Sequence, residues 1–258
     1  MKISLHDLSG FDGRCDAILF CSDAKFAPPE KPAELAAFRK KALGLPEKPE
    51  NTGTFDLVVV GGGIAGECAA ISAARSGLKV AFLHDRPVLV GNNSSEVRVH
   101  LGGGINLPPY PILGTIVKEI GPVKQGNAQP PENYEDEKKT NAVKAEKNIS
   151  LFLNTHAVGV EKEGDKITAV IGKDIRTGRE LSFKAALFAD CTGDGTLGFL
   201  AGSEFRMGRE GKNETGESIA PDKGDKMTMG SWAMWYYVSR TSRRQKHFQT
   251  PVLLRPGQ

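Results

Sequence analysis

Apolar and polar positions along this chain fall into blocks of two different periods. Leu57 to Val60 is a β-branched apolar run, the pattern of a strand buried on both faces, and it stops on Gly61, Gly62 and Gly63. Ile64 to Ser76 then carries the alanine-rich spacing of a helix packed closely on that strand, and Gly77 ends it. Lys79 to Leu83 reads as a second apolar strand, which completes a strand-helix-strand unit of the usual length, roughly 30 residues. Farther on, Leu151 to Leu153, Thr155 to Glu161, Lys166 to Gly172 and Glu180 to Lys184 are short runs, the last three parted by turns at Glu163 to Asp165 and Arg176 to Arg179. They predict a three-stranded meander leading into a buried strand, Ala186 to Ala189, and then into Asp190-Cys191-Thr192-Gly193-Asp194-Gly195. The fold class that follows is α/β.

The first glycine cluster has the chemistry of a grip on a nucleotide diphosphate. Gly61 permits a tight turn, Gly63 lets backbone approach a pyrophosphate with no Cβ in the way, and Gly66 allows the helix to lie close to the strand. Free N–H groups and the positive end of the dipole at the helix start favour an anionic bridge there. Where such folds place a ribose-binding acid after the second strand, this chain has His84, with Asp85 one residue later. Either Asp85 takes the ribose hydroxyls or His84 does so as a neutral donor and acceptor; the reading favours Asp85, and a plain turn aspartate before Pro87 explains it too. At the second cluster, Gly193 and Gly195 again admit a ligand at a strand end, while Asp194 is placed to cap a helix starting near Thr196.

Between the clusters, Val90 to Glu96 reads V-G-N-N-S-S-E, with no helical period. Ser94 and Ser95 are short donors able to reach phosphate oxygens, and Asn92 and Asn93 donate and accept, though an ordinary turn has the same composition. Glu96, Arg98 and His100 alternate with Val97, Val99 and Leu101, as in a half-buried strand with one polar face. Facing a cofactor, Arg98 would hold an anionic or hydroxylated substrate and His100 would act as base; a salt-bridged solvent face fits the same alternation. Ile112 to Ile120 and Lys138 to Lys147 are expected helices, with a polar, mobile stretch from Gln125 to Glu137 between them.

The stretches D-R-P-V-L-V-G-N-N-S-S-E-V-R (Asp85 to Arg98), D-C-T-G-D-G (Asp190 to Gly195) and F-R-M-G-R-E (Phe205 to Glu210) resemble a family of bacterial FAD-dependent oxidoreductases among the glutathione-reductase-like flavoproteins. The likeness runs from about Phe55 to about Ser231. It implies a Rossmann-type FAD-binding domain with a β-meander insertion and an incomplete substrate domain, FAD as cofactor, and hydride delivery from a small or carbohydrate-like organic substrate to the flavin. Relatives usually carry two glycines where Val90 and Gly91 stand. The resemblance also implies that backbone at Ala157 and Val158 meets the adenine. On this reading Gly61, Gly63, Gly66, Asp85, Asn92, Asn93, Ser94, Ser95, Val158, Gly193 and Asp194 hold the cofactor, and Arg98 and His100 serve the substrate. A NAD(P)-dependent dehydrogenase, or a nucleotide-binding fragment without redox activity, are the alternatives.

Composition adds bounds. The 258 residues are 39% hydrophobic, enough for one substantial core, and the net charge of +3, with acids and bases interspersed, implies no nucleic-acid partner. No apolar stretch approaches the roughly 20 residues that span a bilayer, and Met1 to Leu8 lacks a signal-peptide pattern, so the default compartment is the cytoplasm unless a leader was lost. A small-molecule substrate is the expected partner; oligomeric state is unspecified. Cys15, Cys21, Cys68 and Cys191 have no metal-ligand spacing, and a Cys15–Cys21 pair across a hairpin is open but nothing demands it. Residues 1–30, with strands expected at Lys2 to Leu8 and Asp16 to Cys21, resemble the closing hairpin of a β-sandwich module lost from the chain. Residues 31–54 are expected as a helix opened by Pro32 plus a linker from Leu45 to Thr54, and 55–231 as the FAD-binding domain. The final 27 residues, 232–258, hold five basic side chains and no acidic one, an atypical tail that a truncated or frame-shifted reading would explain.

Overall fold

The computed structural model describes residues 17–124 and 126–228. The described residues fall into two compact units, divided between Lys48 and Pro49. In the first, helix α1 (Pro32–Ala42) begins with proline at its first turn, where the missing N–H has no intrahelical partner to lose, and Gly44 follows it at φ +65°. The strand expected at Asp16 to Cys21 is not formed over residues 17–21; the rest of that hairpin, Cys15 and the basic tail lie outside the described residues.

The second unit is built on one six-stranded sheet in the order β3-β2-β1-β6-β5-β4. Its elements, in chain order, are β1 (Glu50–Val60), α2 (Ile64–Arg75), β2 (Val80–Leu83), α3 (Thr115–Ile120), α4 (Asp136–Ala145), β3 (Ile149–Phe152), β4 (Thr155–Glu163), β5 (Lys166–Asp174), β6 (Glu180–Asp190), α5 (Thr196–Ala201) and α6 (Lys212–Thr215). Strands β3, β2, β1 and β6 run parallel, and β6-β5-β4 continue antiparallel. Alternate residues of the parallel strands enter two cores. Val59, Val80 and Phe82 pack with Ile71 and Ala70 of α2, Ile120 and Val143, while Val58, Val60, Ala81 and Leu83 pack with Ala157, Val170, Phe183 and Leu197. That two-faced burial is why β1 and β2 read as unbroken apolar runs. Each fully buried Phe or Ile side chain contributes about 1.5–3 kcal/mol.

Several expectations need correction. The linker ends sooner than expected: Glu50 to Thr54 are already strand, paired with Leu181 to Lys184 across a bulge. The two runs Glu180 to Lys184 and Ala186 to Ala189 are one strand, because Glu50 to Val60 supplies a partner along its whole length. Its second half is not buried; Leu187 is 63% exposed. No strand forms from Glu96 to Leu101. Arg98 sits at φ +65°, and this stretch bonds locally, Arg98 N–H to the Ser94 carbonyl and Val99 N–H to that of Asn92. Residues 126–137 are structured rather than mobile: a 3-10 turn at Pro131–Tyr134 leads into α4, and the buried Tyr134 hydroxyl donates to the Arg98 carbonyl at 2.6 Å.

Candidate functional site

β1 sits between β2 and β6, so the sheet order turns at its carboxyl end, the place where open α/β sheets leave a crevice. A groove of about 450 Å³ opens there, lined by the glycines after β1, the exit of β2, residues 90–93 and 99–102, the start of β4, residues 191–194 and Thr196. Gly63 and Gly193 both line it, although they come from separate strand ends. A Cβ built on either would meet no atom within 4 Å, so no clash within the protein requires glycine at these positions. Gly61 and Gly66 differ. A Cβ at Gly61 would stand 2.3 Å from the Cys191 carbonyl oxygen, and one at Gly66 would stand 1.8 Å from the Gly61 carbonyl oxygen. These two glycines let strand, helix and second strand end close up, and Gly63, the residue preceding α2, is left at the groove with the helix N-terminus behind it.

At the β2 exit, His84 is 5% exposed and its Nδ1 accepts the Gly62 N–H at 3.0 Å. Burial holds its pKa below the usual histidine value, against the opposing pull of Asp85 and the Val88 carbonyl. A neutral ring with its Nδ1 lone pair on Gly62 makes His84 a clasp on the glycine turn, so the role of reading a ligand falls to Asp85. Asp85 is half exposed at the groove, with His156 from β4 on its other side.

The 90–100 loop is fixed from behind. Val90 adopts φ +70° and donates its N–H to the Gly62 carbonyl. Ser94 is fully buried, its hydroxyl donating to the Gly91 carbonyl, and the Ser95 N–H bonds the Asp136 carboxylate. Lys139 of α4, also fully buried, donates to the Asn93 carbonyl, with Asp136 3.7 Å from its ammonium. Glu67 in the first turn of α2 is buried as well. Among the described residues neither of its carboxylate oxygens has a hydrogen-bond partner, and burial pushes its pKa up to about 8 against the pull of Lys139. It is therefore a neutral acid at pH 7.

At the second strand end, Asp194 does not cap α5. Asp190 does, its Oδ2 accepting the Leu197 N–H at 2.7 Å and the Gly198 N–H at 3.2 Å, while Oδ1 accepts the N–H and hydroxyl of Thr192. Burial raises its pKa, but these four bonds together outweigh that and hold the carboxyl below its ordinary value. Gly193 and Gly195 adopt φ +80° and +67°, which turns the chain past the groove and leaves Asp194 on its wall.

Of the residues expected at the site, Gly61, Gly63, Asp85, Asn92, Asn93, His100, Gly193 and Asp194 line the groove. Gly66 shapes it from beneath. Ser94, Ser95, Arg98 and Val158 do not line it. The two serines build the loop, Arg98 turns its Nε to the Ser95 carbonyl, and on β4 the adjacent Ala157 takes the groove position while Val158 points out, 40% exposed. His156, Lys139, Tyr134 and Asp190 were missed, and His84, weighed as a ribose ligand, instead accepts the Gly62 N–H. Each acts on residues distant in sequence or through backbone, except that D-x-T at Asp190 to Thr192, a residue pair prone to side-chain turns, offered a local sign.

A 52-residue segment, 20% of this chain, is 42% identical to glycerol-3-phosphate dehydrogenase of Mycobacterium leprae, and equally to glycerol-3-phosphate dehydrogenase 2 of Mycobacterium tuberculosis. The match spans 9% of the length of those curated relatives. Among solved structures, a flavoprotein/dehydrogenase from Cytophaga hutchinsonii shares 17% identity over 60% of this chain and 44% of its own, with a TM-score of 0.40. L-proline dehydrogenase from P. horikoshii shares 20% over 57% and 24%, with a TM-score of 0.37. The family described as FAD dependent oxidoreductase matches residues 56–255, from within β1 through both glycine-rich strand ends and beyond. The chain belongs to this FAD-dependent oxidoreductase family.

Proposed function

We propose that this chain forms the cofactor-binding part of an FAD-dependent oxidoreductase of the glutathione-reductase-like class, one that takes a hydride from a carbon of a small or carbohydrate-like organic substrate. The supporting observation is the convergence of Gly63 and Gly193 on one groove, each with open space where a side chain would stand. The residues present fit FAD. Gly63 and the start of α2 suit the diphosphate, Asp85 the adenosine ribose, backbone at Ala157 the adenine edge, and Gly193 with Asp194 the chain leading toward the flavin. Asn92 and Asn93 line the groove next to Gly91, which lies against Gly63. FAD, when bound, supplies the two-electron redox chemistry.

For the substrate side, His100 keeps the role of base and Arg98 does not keep that of anion clamp. The His100 Nδ1 lies 2.7 Å from Asn127 Oδ1, which only accepts, so in the neutral tautomer Nδ1 carries the proton and Nε2 the lone pair. A visible spectrum of the purified chain with added FAD, then anaerobic reduction with dithionite, tests the reading. Flavin bands that shift, co-elute with the protein on gel filtration and bleach on reduction are expected. A chain that retains NAD(P) and not FAD, or binds no dinucleotide, overturns it.

A further inference from the structure

Asp85 is set in an arrangement that a turn aspartate would not need. It projects from the exit of β2 with one oxygen, Oδ1, 3.3 Å from His84 Nδ1 and the other, Oδ2, 4.0 Å from Nδ1 of His156, at the start of β4. The first contact is not a hydrogen bond, because His84 Nδ1 presents its lone pair to the Gly62 N–H. Oδ1 is thus left with its full acceptor capacity at the groove. The second gap is too long for a hydrogen bond but has a meaning of its own. Two bonds of about 2.8 Å to one shared hydroxyl, meeting at about a right angle, span about 4.0 Å. A hydroxyl in that position donates to the carboxylate and accepts from an imidazole N–H, which uses both of its capacities.

We propose that His156 is a further cofactor-binding residue, which with Asp85 forms a clamp around the vicinal hydroxyls of the adenosine ribose. Asp85 Oδ2 and His156 Nδ1 share one hydroxyl, and Asp85 Oδ1 takes the other. The clamp replaces the acid that such folds usually place at position 84, where His84 instead holds the glycine turn. Asp85 and His156 come from the exit of β2 and the start of β4, and both are about half exposed and line the groove. Next to them Ala157, buried and on the groove wall, presents the backbone that meets the base. The proposal rests on the FAD reading above and makes that reading specific at its adenosine end.

Isothermal titration with ADP, 2′-deoxy-ADP, FAD and FMN tests the clamp without any turnover. The unaltered chain is expected to bind ADP about tenfold more tightly than 2′-deoxy-ADP. Asp85→Asn removes that preference and weakens ADP and FAD by about tenfold or more, with FMN, which lacks adenosine, unaffected. His156→Ala narrows the ADP preference, and His156→Asn, whose amide reaches the Nδ1 position, restores it. His84→Ala weakens ADP and 2′-deoxy-ADP alike, as a turn clasp should. Equal affinity of the unaltered chain for the two nucleotides, or a preference untouched by Asp85→Asn and His156→Ala, overturns the clamp while leaving FAD binding intact. Binding of neither FAD nor ADP overturns the functional reading and the clamp together.

Discussion

The two strand-to-helix junctions that meet at the groove look alike in sequence and are built on opposite principles. At the first, after β1, glycine is demanded by collision: Gly61 and Gly66 have backbone where a Cβ would stand, with Gly61 also at φ +101°. The acid behind that junction, Glu67, is buried and neutral. At the second, after β6, Gly193 and Gly195 have open space beside them and are demanded by dihedral angle alone. The acid there, Asp190, stays ionised on four hydrogen bonds. The first junction is a packed hinge between three backbone segments; the second is a loop shaped by one carboxylate. A glycine motif can therefore mark either a steric or a torsional need, and only its neighbours tell which.

The largest contrast should come from paired alanine substitutions. Gly66→Ala puts its methyl 1.8 Å from a carbonyl oxygen on a core strand end, and a loss of at least about 3 kcal/mol in urea unfolding is expected. Gly193→Ala, with nothing in its path, should lose only about 1–2 kcal/mol for its positive φ, yet weaken FAD binding, since Gly193 lines the groove. Comparable stability losses in the two variants would erase the distinction drawn between the junctions.

The acids sharpen it. Glu67 has a folded-state pKa of about 8 against an ordinary value of 4.5. Below pH 4.5 it is protonated in both states. Between there and about pH 8 the unfolded chain ionises and the folded chain does not, so stability should fall as pH rises, by up to about 1.4 kcal/mol per unit, and level off above. Urea midpoints from pH 5 to 9 read this slope, and Glu67→Gln should flatten it. Asp190→Ala removes the cap of α5 and should cost about 1 kcal/mol in thermal unfolding. A pH slope surviving in Glu67→Gln would assign the titration to another group.

Val90 provides the smallest and most delicate test. Its left-handed backbone costs about 1–2 kcal/mol, while burial of its side chain, 2% exposed, returns about as much. Val90→Gly should therefore stay within about 1 kcal/mol of the parent in thermal unfolding, although it empties a buried position. A loss above about 3 kcal/mol would mean that packing dominates and that the strain is small.

How much the sequence revealed depended on the range of the interactions. Leu57 to Val60, the helix from Ile64 and the strand to Leu83 were readable because period and glycine spacing are local. The alternation Glu96, Arg98, His100 misled, since polar residues at every second position describe a strand only if another strand is there to pair. Here Tyr134, Asp136 and Lys139 arrive from α4 and its preceding turn and fold the segment into local bonds. Capping went to Asp190 instead of Asp194 because Gly193 and Gly195 carry the chain back over the strand end.

By itself, then, the sequence determined the strand-helix-strand unit, the presence of two glycine-rich strand ends and the chemistry suited to a dinucleotide, all of which follow from backbone sterics and hydrophobic period within a few turns. Tertiary structure alone decided that both ends share one groove, that His84 clasps a turn while Asp85 faces outward, and that Glu67 is neutral. Those outcomes depend on which groups are brought within a few ångströms of one another and shut away from water, and that is set by the order of strands in the sheet.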